Sequence, residues 1–226
     1  MYPSLKVKLN KELDKKVCAS FLNVKKAGVN FGAGIIKRHP SLGAILKLPE
    51  KKRKFSISVY VDWFYQENLK ALEEARKKGQ DGWNKKAKSF FAATDKYFED
   101  YAWPKGKYIA YISVFNCNPR FLENKTFQVF REHQKGFSAV AVHEMLHFLF
   151  YDFVARNFPE SKFSEEELWE LSEVINYFLL SEPKFIEITG DPYPDLYPEL
   201  KGLAERLEKL WSKTRTIKKF LDLYFS

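Results

Sequence analysis

With 226 residues, 45% of them hydrophobic and 30% charged, the chain can bury one substantial core and is neither disordered nor fibrous. Its formal charge of +9 (38 basic against 29 acidic residues) predicts a basic surface that favours anionic partners, weak nucleic-acid contact among them, without specifying a fold. Two cysteines exclude a disulfide framework or a cysteine zinc ribbon, no uninterrupted apolar run has membrane-spanning length, and the N-terminal MYPSLKVKLNKELDKK lacks a signal-peptide core, so a cytoplasmic protein without membrane contact is expected.

In chain order, residues 10–26 place Leu13, Val17, Phe21 and Val24 at helical spacing, with Gly28 as a stop. Residues 29–54 read as a loop-rich approach segment, or alternatively as an arm across a cleft. Gly32 and Gly34 are too few for a phosphate-cradling loop, because Lys37 stands where the third glycine belongs. The run Lys51-Lys52-Arg53-Lys54 reads as a solvated flank. Residues 55–61 alternate, with Phe55, Ile57, Val59 and Val61 on one side, and predict a half-buried strand. Two helices are predicted next. Residues 65–78 turn Leu69 and Leu72 inward, and residues 83–101 carry Trp83, Ala87, Phe91, Phe98 and Tyr101 before the turn at Pro104-Lys105-Gly106. Residues 108–116, YIAYISVFN, are apolar on both faces and suit a central strand. Residues 126–132 alternate again and are expected to pair with it through a turn near Asn124.

Residues 137–154, FSAVAVHEMLHFLFYDFV, form a helix-length apolar run interrupted by His143, Glu144 and His147. On a helix His143 and His147 project from one face, one turn apart. A helix apolar nearly all round is a buried helix, and sinking two imidazoles and a carboxylate in it is costly unless a metal ion compensates. The spacing is HExxH, in which the two histidines hold Zn2+ and the glutamate between them acts as general base.

Ser164 and Glu167 then have capping-box spacing at the head of another mostly buried helix, ending near Leu180. A catalytic zinc site takes three protein ligands, and this helix is the economical source of the third. Glu173, flanked on the helical wheel by Trp169, Tyr177 and Leu180, is the first choice, and Glu170, one turn earlier, the alternative. Asn176 or Tyr177 could orient a ligating histidine. Tyr193, Tyr197 and His133 are candidate oxyanion donors by residue type alone. Residues 182–200 read as an irregular wrap, and 201–224 as a final amphipathic helix packed on the core or plugging a cleft.

This order of elements indicates an α+β fold with a small sheet to one side. His143-Glu144-x-x-His147 followed by Leu171-Ser172-Glu173-Val174 resembles the gluzincin branch of the zinc metallopeptidases, the compact minigluzincins above all. Ser172 and Val174 stand where that family more often has asparagine and glycine. The resemblance implies one zincin-like domain over residues 1–226. In it an N-terminal segment (1–54) precedes a catalytic core (55–182), and the C-terminal segment (183–226) follows. The implied core is a small, mostly antiparallel sheet packed on the HExxH helix and the glutamate helix. It further implies a peptide or protein substrate held in extended form along the outermost strand, with residues 108–116 or 126–132 as the strand expected to supply it. Two other functions fit the residues less fully: a non-catalytic zincin scaffold that binds protein, and a DNA-associated protease, for which the charge speaks but no nucleic-acid motif does.

Overall fold

A computed structural model describes residues 2–159 and 163–226. They form two compact units. A sheet unit comprises residues 4–82 and 107–137, and a helical unit comprises 83–106, 138–226 and the described residues of 1–3.

The sheet unit starts with a strand not expected from the sequence, β1 (Leu5–Leu9), in which Leu5 and Val7 face inward and Lys6 and Lys8 outward. It joins β4 (Tyr108–Ser113), β6 (Thr126–Phe130) and the two-residue β5 (Arg120–Phe121) in the order β1-β4-β6-β5. The pairs β1–β4 and β4–β6 are parallel and only β5–β6 is antiparallel. The sheet is therefore mixed, with more parallel than antiparallel pairs, in place of the mostly antiparallel one expected. The cause is local. The turn before β6, where Lys125 N–H donates to the Leu122 carbonyl (3.2 Å) and Lys125 adopts φ 51°, returns β5 rather than β4 onto β6. Because β4 and β6 each have a neighbour on both sides, neither is the outermost strand proposed to hold a substrate. The outer edge of β1 is met by the Gln80 side-chain amide, which accepts from Val7 N–H (2.9 Å) and donates to the Leu5 carbonyl (3.1 Å) as a neighbouring strand would.

Helix α1 (Lys11–Phe21) is capped by Asn10, whose Oδ1 accepts from Leu13 N–H at 3.0 Å. It stops earlier than expected, and Ala27 and Gly28, both at positive φ, turn the small hairpin of β2 (Lys25–Lys26) and β3 (Val29–Asn30). Helices α2 (Phe31–Arg38) and α3 (Ser41–Ile45) occupy most of the segment expected to be loop-rich. Gly32 serves close packing: a Cβ there would lie 1.9 Å from the Leu22 carbonyl oxygen. Helix α4 (Glu50–Phe98) then runs for 49 residues, its N-terminal part through Gly82 in the sheet unit. It overturns the predicted strand at 55–61. Ile57, Val61, Tyr65 and Leu72 are buried at helical spacing, whereas Phe55 and Val59 are 72% and 52% exposed and Leu69 also faces water. Alternation over seven residues fits one face of a strand and two faces of a helix equally, and no breaker stands at either end.

Asp14 of α1 is fully buried and accepts from Ser113 Oγ (2.5 Å), Tyr65 Oη (2.6 Å) and Gln128 Nε2 (2.7 Å), which ties α1, α4, β4 and β6 together. Burial pushes its carboxyl above the ordinary value although these donors pull the other way. Cys18 and Cys117 are buried free thiols, and burial pushes the Cys18 thiol up to about 12.

The helical unit contains the rest of α4 from Trp83, then α5 (Gly136–Asn157) from Ser138 onward, α6 (Glu165–Leu180), α7 (Pro183–Thr189), α8 (Lys201–Thr214) and α9 (Ile217–Tyr224). Helix α7 replaces the first part of the expected irregular wrap, with Pro183 in its first turn and Gly190 (φ 74°) ending it. The expected single C-terminal helix breaks at Arg215 (φ 56°), and both pieces bury apolar residues: Trp211 of α8, and Ile217, Phe220 and Leu221 of α9. Trp211 stacks on Phe178 of α6, with ring centroids 5.8 Å apart, and its Nε1–H donates to Glu182 (3.1 Å). Among the described residues no helix is long and apolar enough to cross a membrane.

Two expectations follow. Phe55→Glu should change the stability of the chain by no more than about 0.5 kcal/mol, while Ile57→Ala should cost about 2–4 kcal/mol in urea unfolding; equal losses would restore the strand. Asp14→Ala, which strands three buried side-chain donors and the Val114 N–H, should cost about 3 kcal/mol in the same measurement.

Candidate metal centre

The polar residues of α5 and α6 converge inside the helical unit. Helix α5 places the Nε2 atoms of His143 and His147 3.0 Å apart, with the two rings nearly perpendicular (77°). The start of α6 is set by the predicted capping box: Ser164 Oγ accepts from Glu167 N–H (3.2 Å) and Glu167 Oε2 accepts from Ser164 N–H (2.8 Å). Glu165, Glu166 and Glu167 meet the positive end of the helix there. With that start fixed, Glu173 falls opposite the histidines. Its Oε2 lies 3.3 Å from His143 Nε2 and its Oε1 3.4 Å from His147 Nε2. Asn176, one turn further along, donates from Nδ2 to the His143 carbonyl at 2.9 Å and so fastens α6 to α5 beside the cluster. It holds the backbone of a histidine rather than its ring, which is a different form of the orienting role expected of it.

The spacing can be tested against coordination geometry. Donors bonded at ~2.0–2.1 Å around one tetrahedral ion lie ~3.3 Å apart. The three separations of 3.0, 3.3 and 3.4 Å match the edges of such a site, and the group could hold a metal ion. His147 is fully buried and Glu173 is 4% exposed, while the His143 side chain, 25% exposed, is the member that water reaches. Burial alone would raise the Glu173 carboxyl. The imidazoles of His147 and His143 facing it outweigh that and hold it well below its ordinary value, so it is ionised, the form in which a carboxylate binds metal.

Glu144 is also buried, on α5 about 100° around the helix from His143. Glu170 is half-buried on α6 and stands outside the group of three. Glu167 is a capping residue. Of the candidate oxyanion donors, Tyr197 packs its ring against Trp169 of α6 (5.2 Å), Tyr193 is largely exposed, and His133 belongs to the sheet unit. One neighbour was not singled out. Tyr151 continues the face of His143 and His147 by one more turn, and its hydroxyl lies 3.4 Å from that of Ser172, which itself donates to the Trp169 carbonyl (2.7 Å). The i, i+4, i+8 spacing from His143 was its signal.

No family model matches the chain, and no characterised protein or solved structure is found to be similar to it.

Elemental analysis after Zn2+ loading should find metal in the wild type and in Glu170→Gln, and little in His147→Ala or Glu173→Gln. Asn176→Ala should weaken binding by about tenfold through loss of alignment. A filled Glu173→Gln site beside an empty Glu170→Gln site would move the third donor to Glu170.

Proposed function

We propose that the protein is a zinc-dependent peptidase of the gluzincin type, with His143, His147 and Glu173 as ligands and Glu144 as general base. The observation that carries this reading is the convergence of two Nε2 atoms and one buried carboxylate, from successive helices, at the separations that a tetrahedral ion requires. Two imidazoles and one carboxylate at tetrahedral separations are a donor set that suits zinc. Three protein donors also leave a coordination position for water or substrate, the mark of a catalytic rather than a structural site.

When bound, the ion supplies Lewis acidity, bringing the pKa of water towards about 7 and polarising a peptide carbonyl. The remaining work belongs to the chain. Glu173 and the two imidazoles keep the donors aligned, with α6 fastened to α5 through Asn176. Glu144 is a buried carboxylate on the same helix as both histidines. It takes a proton from the attacking water and delivers it to the departing amine, so that one C–N bond breaks, one C–O bond forms and the proton count closes. The exposed side of His143 is where the substrate carbonyl enters. An unstructured or extended peptide fits this approach, since it brings a carbonyl to a buried site without unfolding.

Cleavage of casein by the zinc-loaded protein, followed by mass spectrometry, tests the reading. Glu144→Gln should keep its zinc and lose about 10²–10⁴-fold in rate. A zinc-loaded wild type that cleaves nothing would make the protein a binding scaffold instead. Undiminished cleavage by Glu144→Gln would remove the base assignment.

A further inference from the structure

A cleft of about 540 Å³, sharing no residue with the metal centre, opens within the sheet unit beside the end of α2, the segment after β4 and the end of β6. That volume lies in the ~300–1,000 Å³ range of small-ligand pockets. Its charge is one-sided: Lys37, Arg38 and Arg131 line it against a single carboxylate, Glu132, leaving a formal 3 − 1 = +2.

The two arginines are already arranged as an oxyanion clamp. Arg38 Nη1 lies 3.5 Å from Glu132 Oε2 and Arg131 Nη2 lies 2.8 Å from Glu132 Oε1. Each guanidinium stands over a phenyl ring, Arg38 above Phe130 at 4.6 Å and Arg131 above Phe64 at 5.2 Å, which holds its plane and the direction of its N–H groups. The carboxylate bridging the two forks shows what kind of group they accept. The Glu132 side chain is 53% exposed, so it can swing into water and leave the position to a ligand. Lys37 is exposed beside them and makes no ion pair with a described residue.

The rest of the cleft is organised around His39. His39 is buried, with Nε2 2.9 Å from the Val114 carbonyl and Nδ1 2.7 Å from the Tyr60 hydroxyl. A carbonyl only accepts, so the proton sits on Nε2 and Tyr60 donates to Nδ1. The ring is neutral, its pKa lowered by burial and by Arg131 and Arg38, and it adds packing but no charge. Asn116 lines the same cleft, and its buried Oδ1 has no hydrogen-bond partner among the described residues. Gly34 keeps room beside it, since a Cβ there would come within 3.1 Å of Asn116 Nδ2.

The geometry points to a binding site for a small phosphate monoester, with the phosphate replacing the Glu132 carboxylate between Arg38 and Arg131 and its organic part filling the cleft. A phosphate monoester carries about −1.5 to −2 at neutral pH, which offsets more of the charge of Lys37, Arg38 and Arg131 once Glu132 swings out than a single carboxylate would. Nucleic acid offers the same group, but along a track of regularly spaced phosphates, whereas these cations close on a single concave site.

Isothermal titration calorimetry of the full chain with inorganic phosphate and with glycerol 3-phosphate, at low salt, tests the site. Both should bind saturably at one site, glycerol 3-phosphate the more tightly. Lys37→Ala should weaken glycerol 3-phosphate by about tenfold, the loss of one charge-assisted contact, and Glu132→Gln should strengthen it by removing the competing carboxylate. Both substitutions are at exposed positions, so folding is not at stake. Absence of saturable binding by either phosphate, or affinities unchanged in both variants, would overturn the inference. So would an oligonucleotide that binds through Lys37 and is not displaced by glycerol 3-phosphate, which would make the cleft part of a nucleic-acid surface.

Discussion

The His147 imidazole and the Glu173 carboxylate stay out of water in the helical unit facing each other and the partly exposed His143. An ionised carboxylate with no partner would cost several kcal/mol at that depth. Helix α5 is apolar around most of its circumference, so His147 has no exposed position to turn to. The carboxylate of Glu173, ionised and held within 3.4 Å of both rings, answers that demand with charge. The pairing of α5 with α6 thus places polar groups inside an apolar contact, where a shift of one residue would take Glu173 away from both rings.

That dependence explains why so much of α6 serves its register. The Ser164–Glu167 capping box fixes where the helix starts, and hence which residues face α5 three turns later. Asn176 adds a cross-link to the His143 carbonyl, using the lone pair that the helix's own ladder leaves free. Behind it, Phe178 stacks on Trp211, and Glu182 takes both the Trp211 indole N–H and the Arg215 guanidinium, so α8 backs the face of α6 turned away from the histidines. The donors are held by packing on one side and by hydrogen bonds on the other, which is what a site requires if it is not to reorganise when a ligand arrives.

These features were legible in the sequence for one reason. A polar residue inside an apolar helix is expensive, so its presence at fixed spacing is informative, and His143, His147, Glu173 and Asn176 all belong to that kind, while the exposed capping box shows through its own S-x-x-E spacing. The sheet was less legible. Tyr108–Ser113 and Thr126–Phe130 announce themselves as strands by composition, but their parallel pairing depends on a turn that brings in β5, and β5 is two residues long. β1 alternates Leu5, Val7 and Leu9 with Lys6 and Lys8, yet five residues before a helix cap are easily passed over. At 55–61 the pattern pointed to the wrong element. There the alternation of apolar residues is as compatible with α4, where Ile57 and Val61 go inward and Phe55 and Val59 stay out, and only the longer spacing through Tyr65 and Leu72 decides between them.

The chain also contains its own control for the interpretation of Glu173. Asp14 is an equally buried carboxylate, but it is surrounded by neutral donors: two hydroxyls, an amide and the Val114 N–H. They satisfy its lone pairs without supplying charge, and burial accordingly drives its carboxyl upward. Such a group has no remaining acceptor capacity and no electrostatic reason to receive a cation; it ties α1 to the sheet. Glu173 differs in every respect that matters for binding. Its partners are imidazole nitrogens, groups that exchange a proton for a metal, and its carboxyl is driven downward. Burial alone therefore distinguishes neither residue. The identity of the atoms facing each carboxylate does, and on that criterion the cluster between α5 and α6 could hold a metal ion where the group around Asp14 could not.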